Sequence, residues 1–214
     1  MTWRRVGVLG DVHGEDVALE RCLDHLGAAD VDAILCVGDI TDGHGDVARC
    51  IELLMQRRVH TVAGNHERWF LGGAMRGLPH ATETLPLAHR DWLDGLPKTR
   101  RFDTIAGTAV LCHGIDDDDM AVLRPDTKGY GLQALDGLRA LMLDPEVRFM
   151  IGGHTHERMV RAFDGLTVIN AGTLHREFEP GCIAIDFEAR EVMFYDVGVD
   201  SIELRDTLAL PCPP

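Results

Sequence analysis

Five short blocks of metal-ligating residue types punctuate this sequence: Asp11-Val12-His13-Gly14, Gly38-Asp39-Ile40-Thr41-Asp42, Gly64-Asn65-His66-Glu67, Cys112-His113-Gly114 and Gly153-His154-Thr155-His156. Each closes a short apolar run, where a strand should give way to a loop, so five loops are expected to converge on one edge of a sheet. Side chains alternate along a strand, so Asp11 and His13, and likewise His154 and His156, are expected to face one side as pairs and to grip the same or neighbouring ions. Carboxylate, imidazole and amide oxygen suit borderline divalent metals such as Mn, Fe, Co, Ni or Zn better than Ca or Cu(I). A carboxylate with ligands on either side, as Asp39 would be, can bridge two cations about 3.5 to 4 Å apart, the spacing that clamps an in-line displacement at phosphorus. Any one block alone reads as an ordinary Gly/Asp turn. The joint occurrence of all five, in order on predicted strand ends, points to a metal centre.

The elements that must position these blocks are legible as periodicities. Val6 to Leu9, Ala33 to Val37, His60 to Ala63, Ala109 to Cys112 and Phe149 to Ile151 are apolar runs of the kind made by strands covered on both faces. Leu19, Cys22, Leu23 and Leu26 form one helical stripe, and Val47, Cys50, Ile51 and Leu54 another. After His156 the texture changes to strands joined by tight turns, at 158–163, 167–170, 182–187 and 192–197. The irregular stretch from Asp116 to Gly131 reads as a loop or lid. The tail from Leu210 to Pro214 reads as frayed. The expectation is one α/β domain over residues 1–214, with two mixed β-sheets packed as a sandwich and helices outside.

With these blocks in view, the chain resembles a calcineurin-like metallophosphoesterase. The family pattern D-x-H, G-D, G-N-H-D/E, a lone His and G-H-x-H is filled position by position, and the likeness runs from about Val6 to Val197. Gly10 to Leu26 and Ile169-Asn170-Ala171-Gly172-Thr173 look most like the small bacterial phosphodiesterase branch, which also includes proteins resembling dinucleoside polyphosphate hydrolases. The resemblance implies that Asp11, His13, Asp39 and His156 hold one divalent ion and that Asp39, Asn65, His113 and His154 hold a second. Manganese is the leading candidate, with Fe, Zn, Co or Ni as alternatives. A water bridging two such ions loses a proton near neutral pH and supplies the attacking hydroxide.

The resemblance also implies a proton donor. His66 lies outside the family's metal shell and protonates the leaving oxygen, work suited to an imidazole whose pKa lies near the operating pH. Asp42 is the expected orienting partner of His66; the competing reading makes it the N-cap of a helix beginning near Asp46. His44 and His175 lie a few residues beyond motif loops and are candidates to contact substrate. Arg68 is a further candidate for a phosphate oxygen, with a surface ion pair as the alternative. Protein Ser/Thr phosphatases of this superfamily carry Arg directly after the second Asp of G-D-x-x-D, whereas Gly43 stands there in this chain. A protein-phosphatase role is therefore disfavoured, and a non-catalytic scaffold of the same fold is disfavoured because no ligand type is lost.

Composition argues against nucleic acid and membranes as partners, which leaves the small phosphorylated substrate that the resemblance implies. At 214 residues the chain is long enough to bury a full core without disulfides. A formal charge of -14 opposes nucleic acid and anionic membranes. The run Asp116 to Asp119 adds to that, either as a solvated turn or as a device against polyanions. No apolar run is long enough to span a bilayer. The six cysteines form no C-x-x-C pair and most lie in apolar segments, which fits a reducing cytoplasm. Cys112 in particular should turn away from His113 into the core.

Overall fold

The unbroken apolar runs become buried strands, and the residues that interrupt them become the loops of one edge. The computed structural model of the chain describes residues 2–211. In order, the elements are β1 (Thr2–Trp3), β2 (Arg5–Leu9), α1 (Asp16–Ala28), β3 (Ala33–Cys36), α2 (Val47–Gln56), β4 (His60–Thr61), α3 (Asn65–Gly72), α4 (Leu87–Asp94), β5 (Thr99–Thr104), β6 (Gly107–Cys112), α5 (Tyr130–Gln133), α6 (Asp136–Leu143), β7 (Val147–Gly152), β8 (Met159–Ala162), β9 (Thr167–Asn170), β10 (Gly181–Asp186), β11 (Glu191–Val197) and β12 (Ile202–Ala209).

They assemble two six-stranded mixed sheets, ordered β1-β5-β6-β7-β9-β8 and β12-β11-β10-β2-β3-β4. In the first sheet β6, β7 and β9 run parallel to one another, as do β1 and β5; in the second β2, β3 and β4 do. Between the sheets, Val6, Val8, Leu35 and Ile183 meet Leu111, Phe149, Ile151 and Ile169 in one apolar cluster. The stripes of α1 and α2 cover the outer face of the second sheet, with Leu19, Leu23, Ile51 and Leu54 fully buried. Leu138 and Leu141 of α6 cover Val110 and Met150 on the outer face of the first. This is the expected α/β sandwich of mixed sheets with helices outside.

Several details depart from the sequence reading. The strands β1, β5 and β12 carry no strong periodic signal, and β12 is exposed over nearly its whole length, so nothing forces an apolar alternation on it. The tail is not frayed at its start. Leu210 is buried in the inter-sheet core, and the Pro211 carbonyl accepts from Thr167 Oγ1 at 2.7 Å; Cys212 to Pro214 lie outside the described residues. Asp116 to Gly131 is irregular, as expected, up to the short helix α5.

Cys22, Cys36, Cys50, Cys112 and Cys182 are buried free thiols, and Cys112 packs with Val110 and Met150 as expected. Among the described residues no helix is long and apolar enough to cross a membrane.

Candidate functional site

The five blocks lie just past the carboxyl ends of the parallel strands, where the last in-register residues are Leu9, Cys36, Thr61, Leu111, Gly152 and Asn170. That edge is where open α/β sheets place their ligands. The blocks are not strand continuations. His13, Asp39, Asp42, His154 and His156 all have positive φ, between 46° and 67°, a region that non-glycine residues avoid. Five strained residues on one edge are held there by the surrounding structure, and such clusters mark functional sites. His154 groups with Asp39 and His113, and His156 with Asp11 and His13, so the two residues serve neighbouring clusters and not one.

Glycine supplies room in this crowd. A Cβ on Gly64 would lie 2.1 Å from Asp39 Oδ1, and one on Gly153 would lie 2.1 Å from Asp11 Oδ1. Neither residue has positive φ, so it is the close approach of a carboxylate, not backbone freedom, that requires glycine there.

The donor atoms converge. Asp11, His13 and His156 present ligand atoms within 4.8 Å of one another, as do Asp39, His113 and His154, and a third group of His13, Asp39 and His66 joins the two. His156 Nε2 is 3.0 Å from Asp11 Oδ2 and 3.2 Å from His13 Nε2. His113 Nε2 is 2.9 Å from Asn65 Oδ1 and 3.2 Å from Asp39 Oδ2. Backbone carbonyls set two tautomers. His13 Nδ1 donates to Asp42 O at 2.8 Å and His113 Nδ1 donates to Val37 O at 2.9 Å. Each ring is thereby left with Nε2 facing the cluster, the arrangement in which imidazoles bind metal.

The electrostatics are those of buried carboxylates that need cations. Burial opposes ionisation of Asp39, yet the neighbouring His113, His66 and His13 outweigh it and hold its carboxyl well below the usual range. Asp11 is lowered in the same way, against burial, chiefly by His156 and His113. Burial works against the imidazolium of His113, but Asp39 overrides it and raises this imidazole to about 10. His13 and His154 are lowered, first by burial. A donor set of buried carboxylates, an amide oxygen and imidazoles fits divalent transition metals, which would take the place of the proton on His113.

His66 stands at the rim of this group. Its Nδ1 is 2.8 Å from Asp42 Oδ2, its backbone N–H donates to Asp39 Oδ1 at 2.9 Å, and its Nε2 lies 3.9 Å from Asp39 Oδ2. Asp42 is not a helix cap. Asp46 caps α2, accepting from the Arg49 N–H, while Asp42 takes two hydrogen bonds from the Arg76 guanidinium at 2.9 Å and one from the Thr82 N–H at 2.7 Å. These donors and His66 hold the Asp42 carboxyl well below the usual range against the opposing effect of burial. Burial lowers His66, but Asp42 and Asp39 together raise it.

The substrate-contact candidates fare unequally. His175 sits against the centre, its ring 5.1 Å from that of His13, and burial together with His13 and His156 pushes it down to about 4. The Glu177 N–H donates to its Nδ1 at 3.2 Å, so the proton of the neutral ring is on Nε2. His44 pairs with Glu177 at 3.2 Å and lies beside His80. Arg68 is committed elsewhere: its guanidinium forms a two-pronged pair with Asp119 at 2.7 and 2.8 Å. The ion-pair alternative for Arg68 is therefore the one observed, and Asp119 of the acidic run is its partner, not a solvated charge.

Sequence reasoning missed the residues that brace these loops. Glu67 is fully buried and accepts from the N–H groups of Ile40 at 2.7 Å, Thr41 at 3.0 Å and Gly64 at 2.8 Å, tying the second block to the third. Glu15 binds Arg176 through two prongs at 2.8 Å and so fixes the turn that carries His175. Asn170 donates to Gly153 O at 2.6 Å and accepts from Gly172 N at 2.8 Å, which gives the Asn170-Ala171-Gly172 sequence its structural role. The position of Glu67 inside the third block was the available signal; Arg76 and Thr82 offered none.

A sequence profile of the calcineurin-like phosphoesterase superfamily domain matches residues 5–189. The chain belongs to that superfamily. As a calcineurin-like phosphoesterase it is a metal-dependent enzyme, and its fold recurs in solved relatives. A metallophosphoesterase from Sphaerobacter thermophilus superposes with a TM-score of 0.68 at 22% identity, over 91% of this chain and 88% of that one. YfcE, a phosphoesterase from E. coli, gives 0.59 at 13%, over 97% and 100%. Vps29 from Entamoeba histolytica, solved in complex with zinc, gives 0.56 at 17%, over 97% and 99%. These likenesses concern the fold, which in this calcineurin-like chain carries a full set of candidate ligands.

Proposed function

We propose that the protein is a dinuclear phosphodiesterase acting on a small substrate, with phosphomonoesters as a secondary class. The observation that supports this most directly is the linkage of two His/Asp clusters through His13 and Asp39, with His66 and its carboxylate partner at the junction. In this reading Asp11, His13, Asp39 and His156 would hold one divalent ion, and Asp39, Asn65, His113 and His154 the other, manganese being the first choice. Ions so bound would lower the pKa of water and balance charge on a phosphoryl group. The chain's own contribution is then positional. Asp42 keeps the Nδ1 proton of His66 in place, and His66 Nε2 gives a proton to the oxygen that leaves when one P–O bond breaks. In this reading His175 Nε2–H would donate to a non-bridging oxygen.

The rival readings meet specific obstacles. An Arg at position 43, as in the protein phosphatases, has no room, since a Cβ on Gly43 would lie 1.6 Å from His13 O. Highly charged dinucleoside polyphosphates and nucleic acid would face a chain of charge -14. A scaffold role would leave the His66–Asp42–Arg76 network without a purpose. The reading includes a reducing, cytoplasmic setting, supported by five buried free thiols.

A substrate panel with Mn added tests the reading. Bis-aryl phosphodiester should be cleaved faster than aryl monoester, cyclic nucleotide or dinucleoside polyphosphate. Elemental analysis should find two ions per chain, and Asp39→Asn should weaken both sites. Reproducible binding of at most one ion overturns the dinuclear assignment, and a preference for the monoester overturns the diester assignment.

A further inference from the structure

A cavity of about 510 Å³ opens directly beside the centre, with the candidate ligand His156 in its wall. Its volume lies in the range of pockets that enclose a small organic group. Phe178 forms one side. That ring is 53% exposed, and it stands perpendicular to His156 with centroids 4.5 Å apart and nearly perpendicular to His175 at 5.3 Å. Phe194 of β11, Leu208 of β12 and Pro125 of the irregular loop complete an apolar lining. Leu208 is on the edge strand β12, which lies beyond residues 5–189.

The guanidinium groups in the cavity are already paired, and its wall also holds the carboxylate of Asp206. Arg158 is bound to Asp196 at 2.6 Å and to the carbonyls of Pro180 and Tyr195, and Arg205 to Glu179 and Asp196 at 3.2 and 3.3 Å. Glu157, also in the wall, is paired with Arg124. A second phosphate would find acidic side chains here and no uncommitted guanidinium, whereas an uncharged ring would cover Phe178 and Leu208. His66 does not line the cavity, so the oxygen it would protonate belongs to the other ester arm.

We propose that this cavity receives the group that stays on phosphorus, and that this group is an uncharged, planar aromatic or heteroaromatic ring. The assignment rests on the phosphodiesterase reading given above. The backbone around the cavity is pinned for such a role: the Arg161 guanidinium donates to Arg124 O at 2.9 Å and Thr127 O at 2.6 Å, holding the loop that carries Pro125.

The test uses three diesters that share a p-nitrophenolate leaving group and carry phenyl, cyclohexyl or methyl on the retained oxygen. On the Mn-loaded enzyme, kcat/KM for the phenyl ester should exceed that for the methyl ester by about tenfold to a hundredfold, with cyclohexyl between them. Leu208→Trp, which fills the cavity from an edge strand, should cut the phenyl-to-methyl ratio about tenfold with the metal count intact. Phe178→Ala should lower the same ratio and serves if Leu208→Trp misfolds. Cleavage of all three esters at equal rates, parity of cyclohexyl with phenyl, or an unchanged ratio in both variants overturns the assignment while leaving the phosphodiesterase reading in place. Failure to cleave any of the three overturns both.

Discussion

The carboxylate of Asp42 is 2.8 Å from Nδ1 of His66 and is gripped from behind by Arg76, which fixes the imidazole without itself touching it. Since Asp46 caps α2, replacing Asp42 removes no helix cap, although it also removes the carboxylate that Arg76 and the Thr82 N–H bind. Asp42→Asn should leave the metal count near that of the parent, and any fall in melting temperature reports the lost pairing with Arg76 and not the orientation of His66. Asp42 helps to raise the His66 pKa, so its loss lowers that pKa. A proton donor must be protonated to act, so the alkaline limb of the pH–rate profile should move to lower pH. Turnover should fall, by no more than the 10²- to 10⁴-fold that general acid catalysis contributes. A pH–rate curve that coincides with the parent's would show that Asp42 only supports the fold.

His66 itself groups geometrically with His13 and Asp39, so its position alone allows it to be either a ligand or a proton donor. The two roles separate on the leaving group. His66→Ala should lose about 10²- to 10⁴-fold on an alkyl ester, whose alkoxide needs a proton, and much less on a p-nitrophenyl ester, which departs without one. Both ions should remain. An equal loss on the two esters with one ion missing would make His66 a ligand instead.

What the sequence discloses here is what strict spacing encodes. The five blocks name the convergent side chains, and the apolar runs name the buried strands, because burial on both faces of a sheet leaves little freedom of residue type. The loops are different. Nothing in the segment from Leu71 to Pro86 marks Arg76 or Thr82, since their partner Asp42 is distant in sequence and the contact depends on how the chain folds back. Face alternation allowed His154 and His156 to share one ion or to serve neighbouring ones, and the left-handed residues at 154 and 156, which no strand pattern discloses, send them to neighbouring clusters. The edge strand β12 escaped because an exposed edge has no core to pattern it.

The last prediction concerns Gly64, where the requirement for glycine is one of space. Its φ of -98° is open to any residue, so alanine there costs nothing in backbone conformation. The added methyl, however, would meet Asp39 Oδ1 at 2.1 Å and the Asp39 backbone nitrogen at 2.7 Å. The contact is with a carboxylate already fixed by the His66 N–H and by a left-handed backbone, so it has no flexible end that can yield. Overpacking of this kind costs about 1–3 kcal/mol, and for a chain of this size each kcal/mol lowers Tm by about 2–4 °C. Gly64→Ala should therefore melt several degrees lower and, because Asp39 must move, bind both ions more weakly than the parent. Serine at the same position should do no better, since it brings the same Cβ. A melt and a metal titration on Gly64→Ala check this; parent-like values in both would mean that the α3 start shifts freely and that Asp39 is not held as tightly as its contacts imply.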